Sequence, residues 1–107
     1  MDTQLKKGIL EIYVLSLLLQ HESYGYELIS NVSRVESITN STIYSVLKRL
    51  SDNGYITTRS EEHNGRLRKY YCITPSGEAH IDSFLIEWNV IDNLVNEIKI
   101  NRSEQND

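Results

Sequence analysis

His21, His63 and His80, together with the single cysteine Cys72, are the side chains in this 107-residue chain most suited to metal or nucleophilic chemistry. Their spacing does not support it. The histidines are scattered, none has a second ligand at metal-binding distance along the sequence, and Cys72 has no convincing partner. Neither a glycine-rich phosphate loop nor a carboxylate pair in a catalytic setting is present. The expectation is therefore no enzyme, no cofactor and no metal. Cys72 reads as a half-buried packing residue on a strand, with a redox switch as the minor alternative.

What remains is the chemistry of hydrogen bonding and charge. Asn40, Ser41, Thr42, Tyr44, Ser45, Lys48 and Arg49 are the polar residues left once Ile43, Val46, Leu47 and Leu50 are given to an apolar helical stripe. Short hydroxyl and amide groups suit base edges or phosphates in a DNA major groove, and Lys48 and Arg49 suit phosphates. The plainer uses of the same residues are helix capping and a solvated face. Asn64, Gly65, Arg66 and Arg68 form a second group that could reach a minor groove or its flanking phosphates. Charge that protects a hairpin edge is its plainer reading. Lys6, Lys7 and Tyr24 are further candidates for backbone contacts.

The formal net charge of −4 looks unfavourable for such a role, but its distribution does not. Residues 75–107 carry two basic against seven acidic side chains, whereas residues 51–74 carry four basic against three acidic. At physiological salt the Debye length is about 8 Å, so local potential decides. The acidic last third does not cancel a basic face elsewhere.

These groups need a scaffold, and the periodicity supplies one. A first helix is expected from about Gln4 to Gln20, capped by Thr3 or Asp2. Leu5, Ile9, Ile12, Tyr13, Leu15, Leu17, Leu18 and Leu19 cover most of its circumference, which predicts a central, largely buried helix. Gly8 costs that helix about 1 kcal/mol relative to Ala, which suggests a close backbone approach there. Ser23 is expected to cap a second helix, Tyr24 to Val32, with Leu28, Ile29 and Val32 inward. Thr39 or Asn40 caps a third that runs to about Asn53, where Gly54 stops it. Tyr55 to Ser60 and Leu67 to Thr74 then read as strands, with Asn64-Gly65 in the intervening Glu61–Gly65 segment as the hairpin signal.

Thr74-Pro75 opens a fourth helix, with threonine as cap and proline at the first helical position, running to about Ile100. Ile81, Phe84, Trp88, Ile91, Val95 and Ile98 are spaced 3, 4, 3, 4 and 3, a heptad seam that Leu85 and Leu94 widen. The seam is short for a free coiled coil and predicts a helix that pairs with its copy in a homodimer. The expected fold is mainly α with a small β-hairpin: a winged helix-turn-helix over residues 1–74, then a dimerisation helix and polar tail over 75–107. The best apolar run, Ile9 to Leu19, is broken by Glu11 and Ser16, so no membrane span or secretory signal is expected. One cysteine fits a reducing cytoplasm.

Thr42-Ile43-Tyr44 followed by Leu47-x-Arg49-Leu50 resembles the recognition-helix signature of the PadR family of transcriptional regulators. Tyr24-Gly25-Tyr26-Glu27-Leu28 is similar to that family's second-helix opening. Gly54-Tyr55-Ile56 and Arg68-Lys69-Tyr70-Tyr71, with Ile73-Thr74 and Gly77, are similar to its wing and last-helix entry. The resemblance covers roughly residues 4–98 and points to the short subgroup without a separate C-terminal domain. Ser45 stands where many members have proline and Ser41 where many have glycine, which bears on operator choice rather than fold. The resemblance implies a homodimeric, repressor-type regulator on double-stranded DNA. Its two recognition helices would read an inverted repeat with half-sites about 34 Å apart. Multidrug-sensing members of the short subgroup hold flat aromatic ligands against a tryptophan between subunits. Trp88, with Phe84 and Ile91, is the corresponding candidate pocket for a small hydrophobic or aromatic ligand, and an interface anchor is its plainer reading. The competing function class is a winged-helix protein-interaction module that does not touch DNA.

Overall fold

The chain changes period at Gly54, whose φ of +77° ends a helix and releases the backbone into the first long strand. The computed structural model describes residues 3–105. Its elements are α1 (Thr3–Gln20), β1 (Ser23–Tyr24), α2 (Gly25–Ser33), α3 (Asn40–Asp52), β2 (Ile56–His63), β3 (Arg66–Ile73) and α4 (Pro75–Gln105). The expected cap Asp2 lies outside the described residues. No described helix is long and apolar enough to cross a membrane.

α1 is the centre of the fold and packs against α2, α3, α4 and β3. Val14 and Leu15 of α1 are fully buried with Leu28 and Val32 of α2 and Ile43 and Leu50 of α3. The predicted stripe of α3 is therefore the part of the third helix that meets the core. At the ends of α1 the prediction is too generous, since Leu5 and Leu19 are each half exposed. Gly8 also differs from expectation: a Cβ there would meet nothing within 4 Å, so this chain makes no close approach to it.

The wing is a β2–β3 hairpin closed by a two-residue turn. Asn64 (φ 53°) and Gly65 (φ 79°) both take the left-handed conformation that such a turn requires. Glu61, Glu62 and His63, expected in the loop, are strand residues paired with Arg68, Leu67 and Arg66. β1 was not anticipated. Ser23 and Tyr24 pair with Tyr71 and Tyr70, giving a sheet of order β1-β3-β2. Ser23 is consequently a buried strand residue rather than a helix cap, and Tyr24 precedes α2 without a side-chain capping bond.

A compact junction joins wing to α4. Thr74 Oγ1 accepts from the Gly77 amide (3.1 Å) and donates to the Gly54 carbonyl (2.8 Å), while the Thr74 amide donates to the Tyr55 carbonyl (3.0 Å). α4 continues to Gln105, past the expected end near Ile100. Its first turns lie against α1, so Ile81 belongs to the protomer's own core and Phe84 packs beside it. That corrects the sequence reading, which put Ile81 in the seam facing a partner. Beyond Phe84 the helix leaves the body, and Leu85, Trp88, Ile91, Leu94, Val95 and Ile98 are all exposed.

Candidate nucleic-acid interface

The polar face of α3 is set by its buried one. With Ile43, Val46, Leu47 and Leu50 inward, Asn40, Ser41, Tyr44, Ser45, Lys48 and Arg49 are exposed and Thr42 is half-buried. Thr39 caps the helix, its hydroxyl accepting from the Thr42 amide at 3.3 Å. The same hydroxyl lies 2.8 Å from that of Thr42 and 3.2 Å from that of Ser41. Thr42 is thus engaged in local capping, and Ser41, Tyr44, Ser45 and Lys48 form the outward row of the helix. Lys48 Nζ donates to Asp52 Oδ2 (3.1 Å) one turn on, an exposed pair that is worth well under 1 kcal/mol and yields readily to a phosphate.

Arg49 is held differently. Its Nε lies 2.8 Å from Oε1 of Glu11, a carboxylate buried within α1. The pair fastens α3 to the central helix α1. Sequence reasoning saw Glu11 only as a break in an apolar run and assigned Arg49 to phosphates. A lone carboxylate inside an otherwise apolar helical stretch was the available signal, because such a group demands a cation nearby.

The wing divides its cations in the same manner. Arg59 is clamped by Glu22 and Glu61 and lies over the Tyr70 ring at 4.6 Å. The hydrogen bonds from Arg59, and then that from the Cys72 thiol (3.2 Å), hold the Glu22 carboxyl down at about 2. Burial, and then the contact with Glu22, pushes the Cys72 thiol up. Arg66, Arg68 and Lys69 have no carboxylate partner among the described residues. Arg66 stands beside the Asn64-Gly65 tip, whereas Arg68 lies over the Tyr24 ring at 4.6 Å. Tyr24 in turn meets the edge of Tyr70 at 5.8 Å.

Lys6 and Lys7 share a cleft with Thr39 and Thr42, which brings the start of α1 beside the start of α3. Lys6 is 3.8 Å from Glu36, and Lys7 has no carboxylate partner among the described residues. Phe84 and Trp88 stack along α4 with centroids 5.8 Å apart and planes 23° apart. Phe84 also lines an open cleft of about 360 Å³ with Leu5, Ile9, Tyr55 and the Glu11–Arg49 pair. The described residues hold no group of three or more His, Cys, Asp or Glu side chains arranged for a metal.

The sequence matches the model of the transcriptional regulator PadR-like family over residues 14–83. The chain belongs to that family. This PadR-like regulator is 33% identical over 92 residues to the negative transcriptional regulator PadR of Bacillus subtilis, covering 81% of this chain and 50% of that protein. It thus spans half the length of that relative. A Streptococcus transcriptional regulator superposes with a TM-score of 0.81 at 35% identity, covering 92% of this chain and 99% of the other. A PadR-like transcriptional regulator from Bacillus cereus gives 0.76 at 30% identity, over 90% and 96%. The described architecture is accordingly the winged helix of PadR-like regulators, a DNA-binding fold, with the β2–β3 hairpin as its wing.

Proposed function

We propose that this regulator acts as a homodimeric repressor on an inverted-repeat operator. The observation that carries the DNA-reading part is the outward row Ser41, Tyr44, Ser45 and Lys48 on α3, flanked by the wing cations Arg66, Arg68 and Lys69, which have no carboxylate partner among the described residues. Ser41 and Ser45, with Asn40, would meet base edges in the major groove, while Lys48 takes a phosphate. Asn64, Gly65, Arg66 and Arg68 would follow the adjacent minor groove, and Lys6, Lys7 and Tyr24 would add backbone contacts. Arg49, with its Nε engaged by Glu11, would serve mainly to fix the pose of α3.

The dimer reading rests on α4. Leu85, Leu94 and Ile98 are more than half exposed in the single chain, a stripe that water disfavours and a second copy would cover. Residues 75–107 would form this arm and residues 1–74 the DNA-reading unit. Repression follows the name of the Bacillus subtilis relative. The stacked Phe84 and Trp88, with Ile91, would offer the dimer axis an aromatic surface for a flat hydrophobic effector. Such a ligand alters DNA affinity only if it binds the competent and incompetent arrangements differently. A chain whose partner is DNA would work in the cytoplasm.

Selection of duplex fragments by the purified protein, followed by sequencing, tests the proposal. The expected product is an inverted repeat with half-sites about one helical turn apart. With about four phosphate contacts per subunit, affinity should fall roughly 10³–10⁵-fold between 50 and 200 mM salt. No enrichment and a flat salt response would instead favour the protein-interaction module.

A further inference from the structure

β1 is only two residues long, so the wing shares strand pairing with the body at Ser23–Tyr71 and Tyr24–Tyr70 alone among the described residues. From Lys69 back to Arg66, β3 pairs with β2 and with no other described strand. A two-stranded ribbon of this kind is marginal by itself and twists easily. On the core face, buried Ile56 and Tyr71 anchor its base. The opposite face follows from the alternation of the strands. It carries Tyr24 on β1, Tyr70 on β3 and Arg59 on β2, and these three stand abreast in the strand register.

Their side chains touch across the sheet. Arg59 lies over the Tyr70 ring at 4.6 Å, and Tyr70 meets Tyr24 edge-on, with centroids 5.8 Å apart and planes at 78°. The Arg59 guanidinium also reaches past β3 to the α1–β1 connection, where both oxygens of Glu22 accept from it, Oε2 lying 3.1 Å from Nε. Glu61, two residues on in β2, accepts from Nη1 at 2.8 Å, and the Cys72 thiol donates to Oε2 of Glu22 at 3.2 Å. A two-pronged arginine–carboxylate contact fixes orientation as well as distance, and the ring beneath the guanidinium fixes its plane. An unbroken chain of contacts thus joins the wing to Glu22, two residues past the end of α1. The charge of Arg59 is matched by two carboxylates, which leaves it little to offer a phosphate.

We propose that Arg59 and Tyr70 are positioning residues for DNA binding: they brace the wing at a fixed angle to the helical body, so that hairpin and α3 engage one duplex together. The proposal rests on the DNA reading above and deepens it, since neither residue is among those given a contact with the duplex. A wing free to swing has to be ordered in every binding event, at a cost in affinity. That cost falls on the complex that needs wing and α3 in register at once, the one with the selected operator. Binding to arbitrary sequence rests on charge, which a swinging wing keeps.

The test uses the full chain, a duplex recovered by selection and a scrambled duplex of equal length, with binding measured below each variant's thermal transition. Y70L removes the shared ring without a change in charge, and R59Q/E22Q removes the arginine–carboxylate contact as a neutral pair. Each should weaken the selected duplex roughly 5- to 20-fold and the scrambled one by less than about 2-fold, with the parent slope of log affinity against log salt. Y70F keeps the ring and should match the parent. Y70L combined with R59Q/E22Q should lose little more than either alone, since one brace is broken in both. Residual dipolar couplings of the wing amides should share one alignment with those of α1 in the parent, and should shrink in Y70L and in R59Q/E22Q. Wing couplings unchanged in both variants would overturn the brace, and so would a lower Tm in both with the DNA affinities of the parent. A salt slope reduced by about 1 in R59Q/E22Q would also overturn it and make Arg59 a phosphate contact. A parent chain that binds neither duplex overturns the DNA reading, and with it the role of the brace, whatever the couplings show.

Discussion

The Glu11–Arg49 pair offers a sharp test because its two halves have unlike surroundings. The Glu11 side chain is 11% exposed and that of Arg49 is 70% exposed. Arg49→Gln leaves a buried carboxylate without its counter-charge, which should cost about 3 kcal/mol, the lower end of the range for breaking a buried pair from one side. Glu11→Gln leaves a guanidinium that is already mostly hydrated, at about 1 kcal/mol or less. Replacing both should be less harmful than Arg49→Gln alone, because no charge is then stranded. For a domain this size each kcal/mol moves Tm by roughly 4–8 °C, so Arg49→Gln should lower Tm by about 10 °C or more. Thermal and urea unfolding must be run at one fixed protein concentration, since the proposed dimerisation would contribute to apparent stability. The salt dependence of DNA binding, measured below each variant's transition, completes the experiment. Arg49→Gln should keep the parent slope, since in this reading its work is internal. Equal costs for the two single variants, or a slope reduced by about 1 in Arg49→Gln without loss of stability, would refute the tether and return Arg49 to the phosphates.

Other outcomes follow from the junction, the wing and the arm. A Cβ at Gly77 would lie 2.3 Å from the Tyr55 carbonyl oxygen and 2.7 Å from Ile73, so Gly77→Ala should destabilise by roughly 1–3 kcal/mol, read as a lower urea midpoint. Glu22 has a carboxyl held at about 2 against an ordinary 4.5, a folded value below the unfolded one. Its stabilising contribution is therefore complete above about 4.5 and is lost as pH falls toward 2, and Glu22→Gln should flatten the acid limb of a Tm-against-pH profile over that window. With its thiol pushed up by burial and by Glu22, Cys72 should react with a thiol reagent more slowly at neutral pH in the folded than in the unfolded chain. For the effector surface, planar aromatic drugs should quench Trp88 fluorescence, and their affinity should fall in Trp88→Ala while that variant remains dimeric by sedimentation; unchanged affinity would remove Trp88 from the site.

The elements that impose strong local rules were legible in the sequence. Thr39 before an apolar stripe, Asn64-Gly65 between alternating runs, and Thr74-Pro75 before a long helix each fix backbone geometry within a few residues, and each is found as expected. β1 was not legible, because two residues carry no alternation to detect and the strand exists only through its pairing with Tyr70 and Tyr71 of β3. Ser23 shows the conflict plainly. Its local preference is to cap α2, but the ladder to β3 takes its backbone and buries it.

The interface divides along the same line. That Arg68 and Arg59 lie on one strand pair could be read from the alternation, but the burden each carries could not. Arg59 is matched by Glu22, 37 positions away, while Arg68 rests on Tyr24 and keeps its charge available. Arg49 pairs with Glu11 across the fold, although in sequence it adjoins Lys48 and looks equivalent to it. Counting positive residues therefore overstates the surface that can meet a phosphate. Among the described residues of the wing and of the start of α1, the cations without a carboxylate partner are Arg66 at the tip, Arg68 and Lys69 further along β3, and Lys7 beside the start of α3. A chain with a net charge of −4 can thus keep open cations on its wing, because its fold pairs Glu11, Glu22 and Glu61 with arginines and leaves most of the acidic surplus on α4.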